Sequence, residues 1–119
     1  MEKPISPSQH ALIDYAYTGM QVMGPVAFGI NDEAARTYQA LSTGFLATNA
    51  LTDTPYGLAR VIPFENHQKA DMGFLAGLSI LTFSKTIRKD KRTLAFHLGM
   101  LSMAALNYFL TDYKREPER

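Results

Sequence analysis

The chain has no cysteine, which excludes a disulfide framework, thiolate metal ligands and a thiol nucleophile. Charge of one sign is lacking too: twelve Lys and Arg stand against eleven Asp and Glu, a formal +1. No acidic or basic field therefore points to nucleic acid as a partner. Strand signals are missing, with no sustained apolar–polar alternation and no Asn-Gly or Asp-Gly hairpin. There is no phosphate-cradling Gly loop, no Gly-x-Ser-x-Gly elbow and no His-Glu-x2-His word. The opening Met-Glu-Lys-Pro-Ile-Ser-Pro lacks the basic start and apolar core of a signal peptide, so none is expected. Long hydrophobic runs are absent as well; the longest stretch free of strongly polar side chains is Met72 to Ser84.

What is present is a recurrence. His10, Asp14, Asp32 and Asp53 are followed by His67, Asp71, Asp90 and Asp112, at offsets of 57, 57, 58 and 59. All six aspartates and two of the three histidines join this scheme. The word Leu51-Thr52-Asp53 returns as Leu110-Thr111-Asp112, and Pro7 before His10 is matched by Pro63 before His67. The 119 residues fit one domain (1–119), and a duplication with repeats at about 6–54 and 63–113 accounts for nearly all of it.

Each repeat reads as a helical hairpin. Ser6-Pro7-Ser8-Gln9 is a capping box with proline at the first helical position. Gly24-Pro25 is expected to kink or end the first helix, and Gly29 to Asp32 to form the turn. Asn31 or Asp32 caps the second helix, which stops near Asp53-Thr54-Pro55; Thr54 to Pro63 connects the repeats. The third helix begins between Phe64 and His67 and runs to about Ile87, and Asp90 caps a fourth that runs to about Tyr113. Lys114 to Arg119 is a polar tail. The expected fold is all-α: an antiparallel four-helix bundle built from two duplicated helical hairpins.

The helix middles carry no Lys, Arg, Asp or Glu from Tyr15 to Ile30, Thr37 to Thr52, Met72 to Ser84 and Thr93 to Thr111. A water-soluble bundle shows a charged outer face on each helix. Charges confined to helix ends are what a bilayer demands, and Gly73-x3-Gly77 is a small-residue pattern used to pack membrane helices. Against this stands a mean hydropathy of −0.12, low for four spans. A transmembrane bundle is the expectation and a soluble cytoplasmic bundle the alternative. The turn Arg88-Lys89-Asp90-Lys91-Arg92 leans its end of the bundle toward the cytoplasm and anionic headgroups.

The words His10-x3-Asp14-Tyr15, Thr52-Asp53-x-Pro55-x-Gly57, Ile62-Pro63-Phe64-x2-His67-x3-Asp71 and Thr111-Asp112-Tyr113 resemble a family of short, uncharacterised bacterial integral membrane proteins with four helices. The unit around Gly24-Pro25-Val26-Ala27-Phe28-Gly29 is distantly similar to the SPW repeat, a two-helix membrane repeat, with Gly for Ser before the proline and Val for Trp after it. The resemblance implies a bacterial cytoplasmic membrane location and a four-helix fold. It implies no activity.

Two helices per repeat point both copies the same way, so His10, Asp14, Asp53, His67, Asp71 and Asp112 belong to one bundle end. A His and an Asp four apart share a helix face and can grip one cation from two points. The set resembles in logic the carboxylate-bridged dimetal bundles, although those use Glu at i, i+3 near mid-bundle. Without thiolates it suits Zn, Fe or Mn. Four crowded carboxylates against two imidazoles also call for a divalent ion to balance them. Other readings stay open: the pairs only tie helices together in a structural or helper subunit, they relay protons or hold an organic ligand, or they serve a metal-dependent membrane enzyme. A haem held by His10 and His67 fits less well, because each imidazole has a close carboxylate. The lipid bilayer is the expected partner, and a homo-oligomer is an open option. His97 reads as a packing or interfacial histidine; Tyr15 and Tyr113 read as hydrogen-bond donors to the site or as interfacial residues.

Overall fold

A computed structural model describes residues 2–118. It is all-helical, with four long helices and one short one: α1 (Pro7–Phe28), α2 (Asp32–Ala50), α3 (Phe64–Leu81), α4 (Lys85–Arg88) and α5 (Lys91–Leu110). Among the described residues there is no strand, only two isolated bridges, Ile5 with Thr111 and Thr52 with Ile62.

Local chemistry sets most helix ends. Ser6 accepts from Gln9 N–H while Gln9 Oε1 accepts from Ser6 N–H, so both orphan donors are satisfied and Pro7 sits where its missing N–H costs nothing. Pro25 does not end α1. The helix continues to Phe28, and Gly29 stops it with φ +62°, its N–H returning to Val26 O. Gly24 is required for a different reason: a Cβ there would lie 2.7 Å from the Phe96 ring, so α5 packs onto α1 at that point. Asn31 caps α2 by accepting from Ala34 N–H at 2.8 Å, and its amide donates to Thr86 O and Asp90 Oδ2, joining the turns of both hairpins. Asp90 caps α5 through Thr93 N–H.

Three boundaries differ from expectation. The third helix ends at Leu81, not Ile87, because Ser84 accepts from Ile87 N–H and starts α4 as a new, separate turn. α5 ends at Leu110 because Thr111 turns extended to pair with Ile5, and α2 ends at Ala50 for the equivalent pairing of Thr52 with Ile62. Each bridge joins a residue two positions before the first helix of one hairpin to a residue one or two positions after the last helix of the other.

α1 lies along α2 and α3 along α5; the hairpins meet through α1 against α5, whereas α2 and α3 touch sparsely. The apolar core, Tyr17, Ile30, Ala34, Tyr38, Leu78, Ile87, Phe96 and Met100, fills the middle and the Asp90 end. Much of the rest of the interior is polar: His10, Gln21, Asn49, Thr52, His67, His97 and Thr111 are at most 1% exposed. Val26, Leu58, Phe83 and Ile80 are each more than 70% exposed. Among the described residues one helix, α5, is long and apolar enough to cross a membrane by length and composition, where four were expected. Thr37, Thr43, Thr48 and the glycines dilute the others.

Candidate metal centre

α1 and α3 present the same four-residue step, His10 to Asp14 and His67 to Asp71, to each other across the bundle. One turn of helix separates histidine from aspartate, so each pair faces one way. His10 Nε2 lies 3.0 Å from Asp14 Oδ2 and 2.9 Å from Asp71 Oδ2; His67 Nε2 lies 3.1 Å from Asp14 Oδ2 and 3.1 Å from Asp71 Oδ1. One ligand atom from each of the four residues falls within 4.8 Å of all the others. An ion with tetrahedral bonds of about 2.0–2.1 Å holds its ligand atoms about 3.3–3.4 Å apart, so the four His–Asp separations of 2.9–3.1 Å are a little shorter than that spacing. All four side chains are buried.

The far nitrogens show how the rings are set. His67 Nδ1 is 2.7 Å from Thr52 Oγ1, and His10 Nδ1 is 2.7 Å from Thr111 Oγ1. Each threonine gives its only hydroxyl proton to a carbonyl one turn back, Thr52 to Thr48 O at 2.6 Å and Thr111 to Asn107 O. Each hydroxyl oxygen must therefore accept, and each imidazole must donate, from Nδ1–H. That tautomer turns the Nε2 lone pairs inward, toward the carboxylates. A lone pair facing a carboxylate oxygen at 3 Å is repulsive. The quartet consequently needs two protons on the Nε2 atoms or a cation among them. His67 Nε2 is aligned with Asp14 Oδ2. His10 Nε2 lies between Asp14 Oδ2 and Asp71 Oδ2 and is in line with neither.

Further groups hold the carboxylates. Asn107 Nδ2 donates to Asp14 Oδ1 at 2.9 Å, and the Tyr113 hydroxyl donates to Asp71 Oδ2 at 2.6 Å. The Phe64 ring stacks on His67 and on Tyr113 and closes the bundle end. The tail completes this closure, with Glu118 accepting from Ser6 Oγ and Ser8 N–H at the start of α1. Beside the quartet lies a cavity of about 20 Å³ bordered by His10, Asp14, Asp71, Asn107 and Tyr108, room for about one water-sized group.

The six residues singled out in the sequence divide. His10, Asp14, His67 and Asp71 converge; Asp53 and Asp112 stand outside the quartet. Their backbones belong to the bridges, Asp53 N–H donating to Ile62 O and Asp112 N–H to Ile5 O. The repeated Thr-Asp word thus carries its site function on the threonine, since Thr52 and Thr111 orient the histidines. The repetition itself was the available signal. Phe64 stands in the word before His67, and Asn107 carried no signal. Tyr113 reaches the site, whereas Tyr15 donates to Tyr56 O on the surface. His97 is a packing histidine, fully buried between Tyr38 and Thr82. Set against protein-family models, curated proteins and solved structures, the chain matches none, so its chemistry has to be argued from this quartet.

Proposed function

We propose that this protein is a small membrane-embedded four-helix bundle in which His10, Asp14, His67 and Asp71 bind one divalent metal ion, Zn, Fe or Mn. The observation that carries the reading is His10 Nε2: buried, with carboxylate oxygens at 2.9 and 3.0 Å, yet directed at neither. A nitrogen aimed between two carboxylates fits a cation held in common better than a pair of hydrogen bonds. Charge agrees, because two carboxylates and two neutral imidazoles leave −2, which one divalent ion cancels. The threonines behind the rings play the part usual behind metal-bound histidines, fixing tautomer and ring plane.

The bilayer part of the reading is supported by large apolar side chains on the outside and by polar groups buried beside the apolar core. Polar side chains fill much of the inside, and Val26 and Ile80 near helix ends, Phe83 in the turn after α3 and Leu106 on α5 lie outside, in stretches without charge. The repeated His-x3-Asp and Thr-Asp words, meeting through equivalent hydrogen bonds, support a duplicated hairpin. One observation favours a second reading: the aligned His67–Asp14 contact also suits two imidazoliums paired with two carboxylates, a purely structural tie.

Elemental analysis of protein prepared without a histidine tag decides between them. About one equivalent of Zn, Fe or Mn per chain is expected, with thermal stability lowered by chelator. Metal below about a tenth of an equivalent, with a melting point indifferent to chelator and added Zn, leaves the structural tie. Extraction by detergent and not by salt is the expected test of membrane embedding.

A further inference from the structure

α2 and α3 belong to different hairpins and leave a groove between them. Near the site it has a volume of about 300 Å³ and is lined by Gly44, Phe45, Thr48, His67, Ala70 and Asp71. It continues along the bundle as a second segment of about 260 Å³, past Gly73, Gly77, Leu78 and Leu81. Leu41 and Phe74 border both segments, so the two adjoin along the same face. From Asp71 to Leu81 the groove follows α3 for about 15 Å.

Gly73 and Gly77 were expected to pack one helix against another. They do not. A Cβ built on Gly44, Gly73 or Gly77 meets nothing within 4 Å, so these glycines widen the groove and bring no backbone close. The walls hold no free hydroxyl donor before the site is reached: Thr37 gives its proton to Glu33 O and Thr48 to Gly44 O. The groove is apolar for its length and ends on His67 and Asp71.

Two more observations turn this shape into a binding site. The small cavity beside the quartet shares Phe45, Asp71 and Phe74 with the groove, and the fully buried Nε2 of His10, in line with neither of its two carboxylate neighbours, belongs to a residue that lines it. The other directions are closed or stop short. Phe64 and Tyr113, 3% and 4% exposed, cover the end of the bundle. The groove on the opposite side, between α1 and α5, borders Ile13, Met20 and Met103 but none of the four quartet residues.

We propose that the α2–α3 groove takes the hydrocarbon chain of a single-chain amphiphile from the bilayer and delivers a neutral oxygen head group, an alcohol or aldehyde, to the metal. This rests on the metal reading of the quartet. The head group is set by size and charge. The cavity admits about one oxygen atom beyond the ligands. A divalent ion with two aspartates and two neutral histidines has no net charge. A carboxylate head would bring a buried, uncompensated negative charge, and a neutral oxygen brings none. The chain is set by the groove's length and apolar walls, and its source by the exposed Met72 and Ile80 of the same helix.

The test uses the full chain in lipid nanodiscs, loaded with Co(II) as a visible-spectrum reporter. Addition of 1-dodecanol is expected to shift the Co(II) bands saturably, dodecanoate to act at least about tenfold more weakly, and ethanol at equal concentration not at all. Gly77→Phe, or Gly73→Leu if the first variant misfolds, is expected to weaken dodecanol about tenfold or more with Co(II) content unchanged. Equal responses to ethanol and dodecanol, or no effect of filling the groove, would overturn the chain site; dodecanoate binding as tightly as dodecanol would overturn the neutral head group. A diazirine-bearing dodecanol, photolysed without added metal, separates this proposal from the one beneath it. Labels gathered on Leu41, Phe74 and Leu78 support the groove even if no Co(II) is taken up, which would sink the metal reading alone. Labels scattered over Met23, Val26 and Leu106, or cross-links joining two copies through α3, count against it.

Discussion

His97 and the His10–His67 pair are equally buried, yet the bundle treats them in opposite ways. His97 Nε2 faces Leu78 O at 3.1 Å, a group that only accepts, and Thr82 Oγ1 at 2.8 Å, whose own proton goes to Leu78 O. The ring proton therefore sits on Nε2, and the Tyr38 hydroxyl donates to Nδ1 at 2.6 Å. Every polar atom of that imidazole has a neutral partner of the right kind. His10 and His67 also donate from one nitrogen to neutral threonine oxygens, but their second nitrogens face acceptors that carry charge. A histidine completed by neutral groups is a brick; one left facing carboxylates has work for a cation or a proton. Burial alone does not separate the two. The complement of donors and acceptors does.

The widest gap between these regions is expected in metal content. His67→Ala or Asp14→Asn removes a ligand and should abolish tight binding, whereas His97→Gln should leave full occupancy, read by elemental analysis on the purified variants. Next in size are Thr52→Val and Thr111→Val, which keep every ligand and delete only the acceptor behind a ring. Metal affinity is expected to fall by about 10–100-fold, as for groups orienting metal-bound histidines elsewhere, and Thr→Ser to restore it. An unchanged affinity in the valine variants would make the threonines simple packing residues.

Acidity sharpens the same contrast through its sign. If a metal holds the quartet, protons compete with it for both histidines and both aspartates. Affinity and metal-linked stability are then present at neutral pH and lost as pH falls. If two imidazoliums hold the quartet instead, the tie is kept in mild acid and lost in alkali as their protons leave. Melting temperature against pH, with and without chelator, tells the two apart. At the other end of the bundle, the hydrogen bonds from Asn31 and Thr93 hold the Asp90 carboxyl below its ordinary range. Its cap on α5 should therefore survive mild acid and weaken only as the pH falls through that depressed value.

The parts of the molecule that could be read from sequence are those decided within a few residues. The Ser6–Gln9 box, Asn31, Gly29 and Asp90 each act on groups three or four positions away, and the helix starts follow from them. The His-x3-Asp spacing likewise fixes two ligands on one face. What could not be read depends on contacts between hairpins. Thr52-Asp53 and Thr111-Asp112 mark the same places whichever residue serves the site; only the bridges with Ile62 and Ile5 turn the threonines inward. Gly73-x3-Gly77 looks alike whether it presses a helix close or keeps a groove wide. The break at Ser84 was missed because an apolar run continues through it, and the serine competes for Ile87 N–H only once α4 turns away.

Removing the hydroxyl of Tyr38 tests the neutral site directly. Tyr38→Phe leaves His97 Nδ1 buried without a partner, so a loss of about 1–3 kcal/mol is expected in thermal or chemical unfolding. Metal content should not move, because Tyr38 has no contact with the quartet.

The smallest expected effect has the opposite sign. Gln21 is fully buried on α1, two turns beyond Asp14, and neither Nε2 nor Oε1 of its amide finds a partner among the described residues. A buried amide without hydrogen bonds costs about 1–3 kcal/mol by mutational measures, more than the packing difference between glutamine and methionine of similar shape. Gln21→Met is therefore expected to stabilise the bundle by about 1 kcal/mol, a rise of roughly 3–6 °C in melting temperature for a domain of this size. Metal affinity should stay as in the parent, since the residue lies outside the quartet and the groups behind it. A melting point that falls instead would show that an internal water completes the amide. Gln21 would then belong with His97 among the satisfied polar groups of the interior, in contrast to the His/Asp quartet, whose facing nitrogens and carboxylates call for a cation or protons.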